Sequence, residues 1–501
     1  MNLSRVLDGV PVIKMFQTMY GKMVVTHDVE VSGIQYDSRK VGRGDLFVAI
    51  KGVAVDGHKF IDNAVAKGAN VVVLEDDAAL PDSYFMHAGV AKVVVEDSRK
   101  ALAMMSANFF DHPSHKLKLV GVTGTNGKTS TTHLIKSILE ANGERVGLIG
   151  TIEYKIGDEV IPATHTTPES LELYRLLATM VQRSCTAAVI EVSSHSLALS
   201  RVYGLQFAAA AFTNLTQDHL DFHQTMLEYF KAKKILFDGL DANASVVTNA
   251  DDSYGLKIVS DTKAKVLTYG IGSGEISATN VSLGLTGTKF TVNYQNSAQQ
   301  VESTLIGRFN VQNILAAYAM GITLGVERNK IVEGIANLKA VPGRFQQFVS
   351  PDGWIAVVDY AHTHDAMESC LRAIHDILPR EQRARIITVF GAGGNRDKTK
   401  RPTMGRVATD LSDITILTSD NPRFEDPTTI VEEIKSGTLP GKTVYVELER
   451  RKAIAMALQM ARRGDVVLLA GKGHECYQVV GDKKVHLDDR EEVESFIRKK
   501  R

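Results

Sequence analysis

The stretch "LVGVTGTNGKTSTTHLIKSILEANG" (119–143) carries the strongest structural pattern in the chain. An apolar run ends at Thr123, a glycine-bearing loop follows, and a helix with apolar residues along one face ends at Gly143. Such a loop at a helix N-terminus presents backbone N–H groups and the positive end of the helix dipole to phosphates. The stretch therefore predicts a nucleotide-phosphate site, with Lys128 against the β- and γ-phosphate oxygens and the Thr129 hydroxyl on Mg²⁺.

We expect the whole loop to bind ATP through consecutive residues, namely Gly124, Thr125, Asn126, Gly127, Lys128, Thr129 and Ser130. Its spacing is GxxGK[ST] rather than the common GxxxxGK[ST], so the order of strand, loop and helix carries the prediction. Two alternatives stay open at this point. The loop could be a glycine turn with an exposed lysine, or part of a GTPase switch, although no convincing NKxD-type guanine motif lies beside it.

Bulk composition excludes several classes of protein. A chain of 501 residues predicts two to four domains, and 58 Lys+Arg against 58 Asp+Glu give no case for nucleic acid or an anionic membrane. Cys185, Cys370 and Cys476 are far apart, which argues against a disulfide framework and a structural zinc site. The N-terminus lacks a signal-peptide pattern, and no apolar run approaches the roughly 20 residues of a membrane span. We expect a cytoplasmic protein.

Short β-branched runs alternate with amphipathic helical stretches, which is typical of an α/β fold. Residues 275–306 differ, because they alternate like strands joined by polar turns, and we expect an antiparallel insertion there. Breaks near 111–116 and 339–345 predict three domains, with limits at 1–114, 115–341 and 342–501.

The motifs "GVTGTNGKTSTT", "DYAHT", "GGNRDKTKRP", "DNPRFEDP" and "GKGHE" resemble those of the Mur ligase family, over about residues 30–490. Those enzymes use ATP to form amide bonds through an acyl phosphate. The resemblance implies an N-terminal α/β domain for a uridine nucleotide, a central P-loop ATPase-type domain with a parallel sheet, and a C-terminal Rossmann-like domain. Folate-type ligases lack the first domain, so its presence favours a muramyl-nucleotide substrate.

The resemblance also implies a second set of magnesium ligands beside Thr129. Glu191 and His219 are expected at strand ends, and Lys233 on a helix is expected to be carbamylated, which turns a cation into an anionic oxygen ligand. Lys233 is preferred over Lys231 and Lys234, although the motif leaves some freedom of register. The simpler reading makes Glu191 an ordinary strand-end carboxylate and Lys233 a residue of a solvated face.

Further residues follow from the resemblance by position. Asn313, Arg344 and Asp359 are expected around the ATP, and His362 is a candidate for the base that deprotonates the attacking amine. His364 replaces the proline of the usual "DYAHTPDA". For the UDP-sugar substrate the implied residues are Ser38, Thr166, Thr167, Ser193 and Arg201. His165 and Leu199 depart from the residues common beside them in the family.

Three loops of the third domain follow predicted parallel strands, and ligands bind at that edge of open α/β sheets. The resemblance implies a diaminopimelate site made by these loops, with Arg396, Asp420, Asn421, Pro422, Arg423, Gly471 and Glu475. Arg423 would hold a ligand carboxylate in its planar fork, and Glu475 would hold the distal ammonium. The alternative is a surface arginine that pairs with Glu425 or Asp426.

The resemblance therefore implies an ADP-forming ligase that adds meso-2,6-diaminopimelate to UDP-N-acetylmuramoyl-L-alanyl-D-glutamate in peptidoglycan precursor synthesis. ATP and Mg²⁺ are the expected cofactors, and small molecules are the expected partners of a monomer. Three alternatives remain: the same ligase adding L-lysine, a folate-type glutamate ligase, and a non-catalytic ATP-binding regulator.

Overall fold

The computed structural model describes residues 1–19, 22–24, 29–52, 55–284, 286–378 and 384–499. Apolar β-branched runs such as "VVVL" and "AKVVV" form buried strands in the N-terminal part, as their composition predicts. The elements of this part are α1 (Leu3–Val6), β1 (Val12–Met19), β2 (Lys22–Val24), β3 (Ile34–Gln35), β4 (Leu46–Val48), α2 (Ile61–Ala66), β5 (Val71–Leu74), α3 (Asp82–Ala88), β6 (Ala91–Val95) and α4 (Ser98–Phe109).

The central part alternates strands and helices and then turns to antiparallel strands. Its elements are β7 (Lys118–Thr123), α5 (Lys128–Ala141), β8 (Val146–Ile149), β9 (Glu153–Ile156), β10 (Glu159–Pro162), α6 (Ser170–Gln182), β11 (Ala187–Glu191), α7 (Ser194–Ala198), β12 (Ala209–Phe212), α8 (Leu220–His223), α9 (Met226–Asp238), β13 (Ser245–Asn249), β14 (Lys265–Gly270), β15 (Ile276–Gly284), β16 (Gly287–Tyr294), β17 (Ser297–Ser303), α10 (Arg308–Thr323) and α11 (Arg328–Asn337).

The C-terminal part is again an alternation of strands and helices. Its elements are β18 (Gln346–Val349), β19 (Ile355–Asp359), α12 (His364–Ile377), β20 (Ile386–Phe390), α13 (Lys400–Leu411), β21 (Ile414–Leu417), α14 (Pro427–Lys435), β22 (Thr443–Val446), α15 (Arg450–Met460), β23 (Val466–Ala470), β24 (Tyr477–Val480), β25 (Lys483–His486) and α16 (Asp489–Lys499).

The chain divides into two compact units, one made of residues 1–121 and 145–208, the other of residues 122–144 and 209–501. In the first unit a sheet runs in the order β2-β1-β6-β5-β4-β3, with β3 to β6 parallel. A second group pairs β11 with β8 in parallel, and β9 and β10 extend it antiparallel. The three domain limits predicted from the sequence stay predictions.

In the second unit, β12 to β15 pair in parallel. Strands β16 and β17 then continue antiparallel, so the antiparallel insertion predicted for residues 275–306 is confirmed. The prediction that a strand ends at His219 is wrong. Strand β12 ends at Phe212, and His219 precedes α8 with a left-handed φ of 54°, because the polar "TNLTQD" segment between them forms a loop.

The C-terminal sheet has the order β18-β19-β23-β20-β21-β22, and its strands are parallel except for β18. Alternate residues of each strand face opposite cores, as a pleated strand requires. Ile386 and Phe390 pack in a core with α12, α13 and α14, whereas Ile387 and Val389 pack in another with α15 and α16. The loops that follow β23, β20 and β21 therefore emerge side by side at one edge of a sheet covered on both faces.

Among the described residues, no helix combines the length and the apolar character needed to cross a membrane.

Candidate active site

The glycine loop lies where the sequence predicts it, between β7 and α5, but it is shorter than predicted. The helix begins at Lys128 because Gly127 makes the turn with φ 85°, so Lys128 and Thr129 belong to the first helical turn. The Lys128 ammonium donates to the carbonyl oxygens of Gly124 at 3.0 Å and of Thr125 at 2.7 Å. The loop thus carries a cation and a helix N-terminus, the two features that hold phosphates.

The segment after β12 holds the loop in place. The Thr213 hydroxyl donates to the carbonyl of Asn126 at 2.6 Å, and the Asn214 side-chain oxygen accepts from the Asn126 N–H at 2.9 Å. The Thr125 N–H donates to the Asn214 carbonyl at 2.8 Å. These bonds satisfy the backbone on one side of the loop.

Gly124 is required where it stands. Its φ is 150°, and a Cβ there would lie 1.9 Å from the Thr213 hydroxyl oxygen, which is bonded to the loop. Since backbone strain of this kind costs about 1–3 kcal/mol and the clash must also be relieved, we expect Gly124→Ala to weaken ATP binding by about tenfold or more. Isothermal titration calorimetry would measure the dissociation constant for ATP in the wild type and in the variant.

Gly143→Ala is the matched control for this prediction, because Gly143 also has a positive φ, 86°, but no atom within 4 Å of its Cβ position. The control is expected to lose stability and to bind ATP normally. Equal ATP affinity in the Gly124→Ala and Gly143→Ala variants would show that the short distance between position 124 and the Thr213 hydroxyl does not matter for ATP binding.

A cavity of about 280 Å³ opens beside the loop. Arg344 reaches the loop's helix, donating from Nη2 to the Thr129 hydroxyl at 3.2 Å, and the Asn313 Oδ1 accepts from Thr131 at 3.5 Å. The residues predicted around ATP that line this cavity are Asn126, Gly127, Ser130, Asn313, Arg344 and Asp359, together with His362. Residues more than 200 positions apart in sequence therefore line one cavity.

Burial shifts the pKa of two titratable groups that line this cavity. The Asp359 carboxylate accepts from the N–H groups of Phe345 at 2.6 Å and Ala361 at 2.7 Å, while burial raises its pKa. His362 donates from Nδ1 to the Tyr360 carbonyl at 2.9 Å, and burial, with help from Lys400, lowers its pKa. His362 is therefore neutral at physiological pH, with its Nε2 lone pair as the acceptor.

Burial distinguishes Lys233 from its neighbours on α9. Its side chain is only 1% exposed and donates to the Gly124 carbonyl at 2.7 Å, the same oxygen that Lys128 contacts. Burial first, and then the charge of Lys128, lower its pKa well below the ordinary value. In contrast, Lys231 pairs with exposed Glu228, and Lys234 with two aspartates. Of these three lysines, Lys233 is the buried one, and its role as a carbamylated metal ligand stays a prediction.

The other two predicted metal ligands, Glu191 and His219, belong to different units of the chain. Glu191 ends β11, is 1% exposed, and accepts from the Thr151 N–H at 2.9 Å and the Thr151 hydroxyl at 3.0 Å. His219 lies 3.4 Å from the Asp218 carboxylate. Both offer a ligand atom, but Glu191 is a buried carboxylate and His219 a half-exposed ring.

Four of the residues predicted for the UDP-sugar meet in the first unit. The Thr167 hydroxyl donates to the Glu191 carbonyl at 2.7 Å and accepts from the Ser193 N–H at 3.1 Å, and the Thr166 hydroxyl is 3.1 Å from that of Thr151. Arg201 donates to the Thr167 carbonyl at 3.0 Å. Ser38 is buried, and among the described residues no hydrogen bond or ion pair joins it to the other four.

Glu169 was not predicted, although it organises this group. Its carboxylate pairs with Arg201 and Arg99, both at 3.4 Å, and it caps the N-terminus of α6. It follows "HTTP" directly, so an N-cap reading of "PES" was the signal available in the sequence. Its pairing with two arginines depends on tertiary structure.

The predicted edge of the C-terminal sheet brings Arg423 to the loop after β20. Its backbone has φ 53° and is fixed on both sides, since its N–H donates to the Val479 carbonyl at 3.0 Å and its carbonyl accepts from Gly481 at 2.7 Å. Its guanidinium donates from Nη1 to the Gly394 carbonyl at 2.8 Å. In the described part of the chain, no carboxylate lies within ion-pairing distance of Arg423.

The alternative reading of Arg423 as a salt-bridged surface arginine is therefore wrong. Glu425 pairs with Arg401 instead, and Asp426 caps α14 through the N–H groups of Thr428 and Thr429. Because neither acid contacts the guanidinium of Arg423, the positive charge of this side chain remains available at the sheet edge.

Glu475 is placed beside Asn421 and a buried lysine. Its Oε2 accepts from the Asn421 side-chain amide and from the Lys472 ammonium, each at 2.9 Å, and Lys472 also donates to Asn421 Oδ1 at 3.2 Å. Both contacts fall on Oε2, so Oε1 is the atom that can accept from a ligand ammonium. Lys472 was missed, although "GKGHE" contains it, because sequence alone does not show that its ammonium is buried.

The remaining predicted residues of this edge pack closely. Gly471 has φ 109°, and a Cβ there would lie 2.7 Å from Oδ2 of Asp420, whose carbonyl accepts from Gln478 at 2.6 Å. The Pro422 carbonyl would lie 1.9 Å from a Cβ at Gly394. Arg396 is exposed in the loop that follows β20.

Lys400 and Asp218 were also missed. Lys400 donates to the His362 carbonyl at 2.9 Å, and although burial lowers its pKa, Asp218 and other carboxylates act in the opposite direction. Burial acts to raise the pKa of the Asp218 carboxyl, but neighbouring positive charge, including that of Lys400, holds this pKa below its ordinary value. Nothing in the sequence indicates that positions 218, 362 and 400 share one neighbourhood.

Comparison with family models finds three matches along the chain. Residues 30–110 match "Mur ligase family, catalytic domain", residues 122–321 match "Mur ligase middle domain", and residues 343–473 match "Mur ligase, glutamate ligase domain". The three matches cover most of the chain in the order expected from the motifs.

Full-length relatives agree with these matches. The chain is 46% identical over 475 residues to UDP-N-acetylmuramoyl-L-alanyl-D-glutamate--2,6-diaminopimelate ligase 1 of Clostridium acetobutylicum, covering 94% of this chain and 95% of the relative. It is 43% identical over 473 residues to the ligase of Parabacteroides distasonis described as UDP-N-acetylmuramoyl-L-alanyl-D-glutamate--2,6-diaminopimelate ligase, covering 94% and 95%.

Solved structures give the same result for the fold. A UDP-N-acetylmuramoyl-L-alanyl-D-glutamate--2,6-diaminopimelate ligase matches with a TM-score of 0.68 at 31% identity, covering 96% of this chain and 97% of that one. The MurF ligase of Thermotoga maritima in complex with ADP matches with a TM-score of 0.62 at 21% identity, covering 94% and 97%. The predicted three-domain α/β fold is confirmed.

Proposed function

The chain belongs to the Mur ligase family, and on that premise we propose that it adds meso-2,6-diaminopimelate to the D-glutamate of UDP-N-acetylmuramoyl-L-alanyl-D-glutamate, with cleavage of ATP to ADP. The product would be a precursor of peptidoglycan. The observation that carries the proposal is the guanidinium of Arg423, which donates to the Gly394 carbonyl of a neighbouring loop and has no carboxylate partner in the described part of the chain.

The chemistry of the amino acid explains this choice. Diaminopimelate is lysine with a second carboxylate at its far end, so a site that selects it needs a cation there. Arg423 offers a planar fork that can hold a carboxylate by two hydrogen bonds. Oε1 of Glu475 would accept the ammonium of the same end, while Lys472 and Asn421 hold Oε2.

The nucleotide would occupy the cavity beside the glycine loop. Lys128 and the N-terminus of α5 would neutralise the phosphates, while Arg344 and Asn313 would close the cavity from the opposite side. An oxygen of the D-glutamyl carboxylate attacks the γ-phosphorus, the bond to the β-phosphate oxygen breaks, and ADP and an acyl phosphate result. Positioning and electrostatics supply most of the catalysis in such transfers.

The second step joins the amino acid. The neutral amine attacks the acyl carbon, the bond from that carbon to the phosphate oxygen breaks, and phosphate leaves as the amide forms. The amine loses one proton in this step. His362 is our candidate acceptor, because burial keeps it neutral and its Nδ1 is engaged with the Tyr360 carbonyl.

Among the described residues no group of three or more His, Cys, Asp and Glu could hold a metal ion. As the family resemblance implies, we propose Thr129, His219 and a carbamate on Lys233 as ligands of Mg²⁺, and Glu191 stays a prediction from the sequence. The depressed pKa of Lys233 favours the neutral amine, which adds CO₂ and releases a proton. Mg²⁺, when bound, would offset the negative charge of the reacting phosphates.

The proposed partners are small molecules, namely the UDP-sugar dipeptide, meso-diaminopimelate and ATP. Thr166, Thr167, Ser193, Arg201 and Ser38 would bind the UDP-sugar. We propose that the protein works as a cytoplasmic monomer and binds neither nucleic acid nor membrane.

Phosphate release from ATP tests the function directly. The assay contains UDP-N-acetylmuramoyl-L-alanyl-D-glutamate and either meso-diaminopimelate or L-lysine in parallel. Release with diaminopimelate alone is the expected result. Release with lysine instead would keep the ligase and overturn the assignment of Arg423, and release with neither from protein that still binds ATP would overturn the ligase.

A further inference from the structure

The sequence around Arg423 poses an electrostatic problem. The segment "DNPRFED" places Glu425 and Asp426 two and three residues after the arginine. A carboxylate so close along the chain is a natural internal partner, and an internal ion pair would compete with any carboxylate of a ligand. Yet Arg423 has no such partner in the described part of the chain, so something must hold Glu425 away.

Arg401 holds it. The Arg401 side chain is completely buried at the start of α13, and its Nη1 and Nη2 lie 3.0 Å and 3.3 Å from the two carboxylate oxygens of Glu425. Glu425 also accepts from the Asn395 N–H and pairs with the exposed Lys398 at 3.2 Å. These donors keep the pKa of Glu425 at about 2, so the carboxylate is charged throughout any assay range.

The same arginine joins the two loops of the site. Arg401 donates from Nη2 to the Gly393 carbonyl at 3.0 Å, and Arg423 donates from Nη1 to the adjacent Gly394 carbonyl at 2.8 Å. The Gly394 N–H donates to the Asn421 carbonyl at 2.9 Å. The two guanidinium groups therefore sit on neighbouring carbonyls of one loop, but only Arg401 is paired with an acid.

We propose that Arg401 is a specificity-determining positioning residue, which engages Glu425 and so leaves the charge of Arg423 for the distal carboxylate of the amino-acid substrate. Arg401 is buried and touches no substrate; it acts through Glu425 and the loop at Gly393. This inference rests on the proposed function, because it concerns the discrimination between diaminopimelate and lysine.

A consequence separates this role from a purely structural one. Without Arg401, Glu425 keeps its pair with Lys398, whose side chain is 58% exposed, and Arg423 lies two residues away along the chain. Exposed ion pairs are weak, so Arg423 becomes the better partner. Neutralised in this way, Arg423 binds diaminopimelate less well and no longer penalises lysine. Removing the acid as well should restore the free charge of Arg423.

The experiment compares wild type, Arg401→Met, Glu425→Gln and Arg401→Met/Glu425→Gln by phosphate release with each amino acid. For R401M we expect the KM for diaminopimelate to rise about tenfold or more, and the preference for diaminopimelate over lysine to fall by a similar factor. The KM values for ATP and the UDP-sugar dipeptide should change much less. In the double variant, the KM for diaminopimelate should return to within about threefold of wild type.

Glu433→Gln is the matched control, because Glu433 also pairs with Arg401, at 2.5 Å, but follows on α14 and not beside Arg423. It should leave the preference unchanged. If R401M does not fold, Arg401→Lys keeps the charge but loses the fork, and the same rescue by E425Q is expected at smaller amplitude.

Two results would overturn the inference. One is an unchanged KM for diaminopimelate in R401M; the other is a double variant no better than R401M, which would leave Arg401 a merely structural residue. Failure of the proposed function is distinct, since wild-type protein would then release no phosphate with diaminopimelate.

Discussion

Replacing Arg423 with alanine should lower kcat/KM for meso-diaminopimelate by roughly 30-fold to several-thousand-fold, because loss of one partner of a buried charge pair costs about 2–5 kcal/mol. The reason is geometric. The backbone of Arg423 is fixed by Val479 and Gly481, and its guanidinium is not neutralised by Glu425. The loss should appear mainly in the KM for diaminopimelate, measured by phosphate release at saturating ATP.

The control for this prediction is Arg372→Ala, which removes an exposed arginine paired with Glu368 on α12. Exposed ion pairs contribute little, so activity should stay near that of wild type. The kcat/KM of R423A for L-lysine should not fall, since lysine has no distal carboxylate to lose. A parallel fall with both amino acids would show that Arg423 supports the loop and does not read the substrate.

Lys233→Met should reduce kcat by about 10²–10³-fold, a typical loss when one preorganised electrostatic contact to a transition state is removed. The side chain is fully buried against the Gly124 carbonyl of the phosphate loop, so methionine fills its volume without its charge chemistry. Lys231→Ala on the same helix is the control, because that side chain is exposed and pairs only with Glu228.

The Lys233→Met substitution should lower activity without lowering the stability of the fold at neutral pH. The folded-state pKa of Lys233 lies below the ordinary value of 10.5, so between the two values the unfolded chain binds the extra proton and the free energy of unfolding rises with pH. In bicarbonate-free buffer K233M should lack this rise and be at least as stable as wild type at neutral pH. Denaturant unfolding at several pH values measures both.

Carbamylation supplies a separate readout for Lys233. Wild-type activity should fall when CO₂ is removed and return on addition of bicarbonate, whereas K233M should not respond. If K233M loses its activity together with its folded structure, or if bicarbonate has no effect on wild type, the assignment of a carbamate is wrong.

Local patterns predicted the local structure around the candidate site. The order of strand, glycine loop and helix was predicted correctly, because the conformation of the loop depends on glycines and a helix start only a few residues apart. The loops after β20, β21 and β23 were placed at one edge, because parallel strands end on the same side. His219 was misplaced because a polar loop and a strand end look alike without tertiary contacts.

The sequence by itself determined which chemical groups this protein carries: a phosphate loop with Lys128, an arginine after Asp-Asn-Pro, and a lysine near residue 233. These follow from short-range order along the chain. Only the tertiary structure decided which of those groups keep their charge. Glu425 pairs with Arg401 and not with Arg423, Glu475 shares one oxygen with buried Lys472, and Lys233 alone of its neighbours is desolvated. Ion pairing and burial depend on distances between residues far apart in sequence, which no local pattern contains.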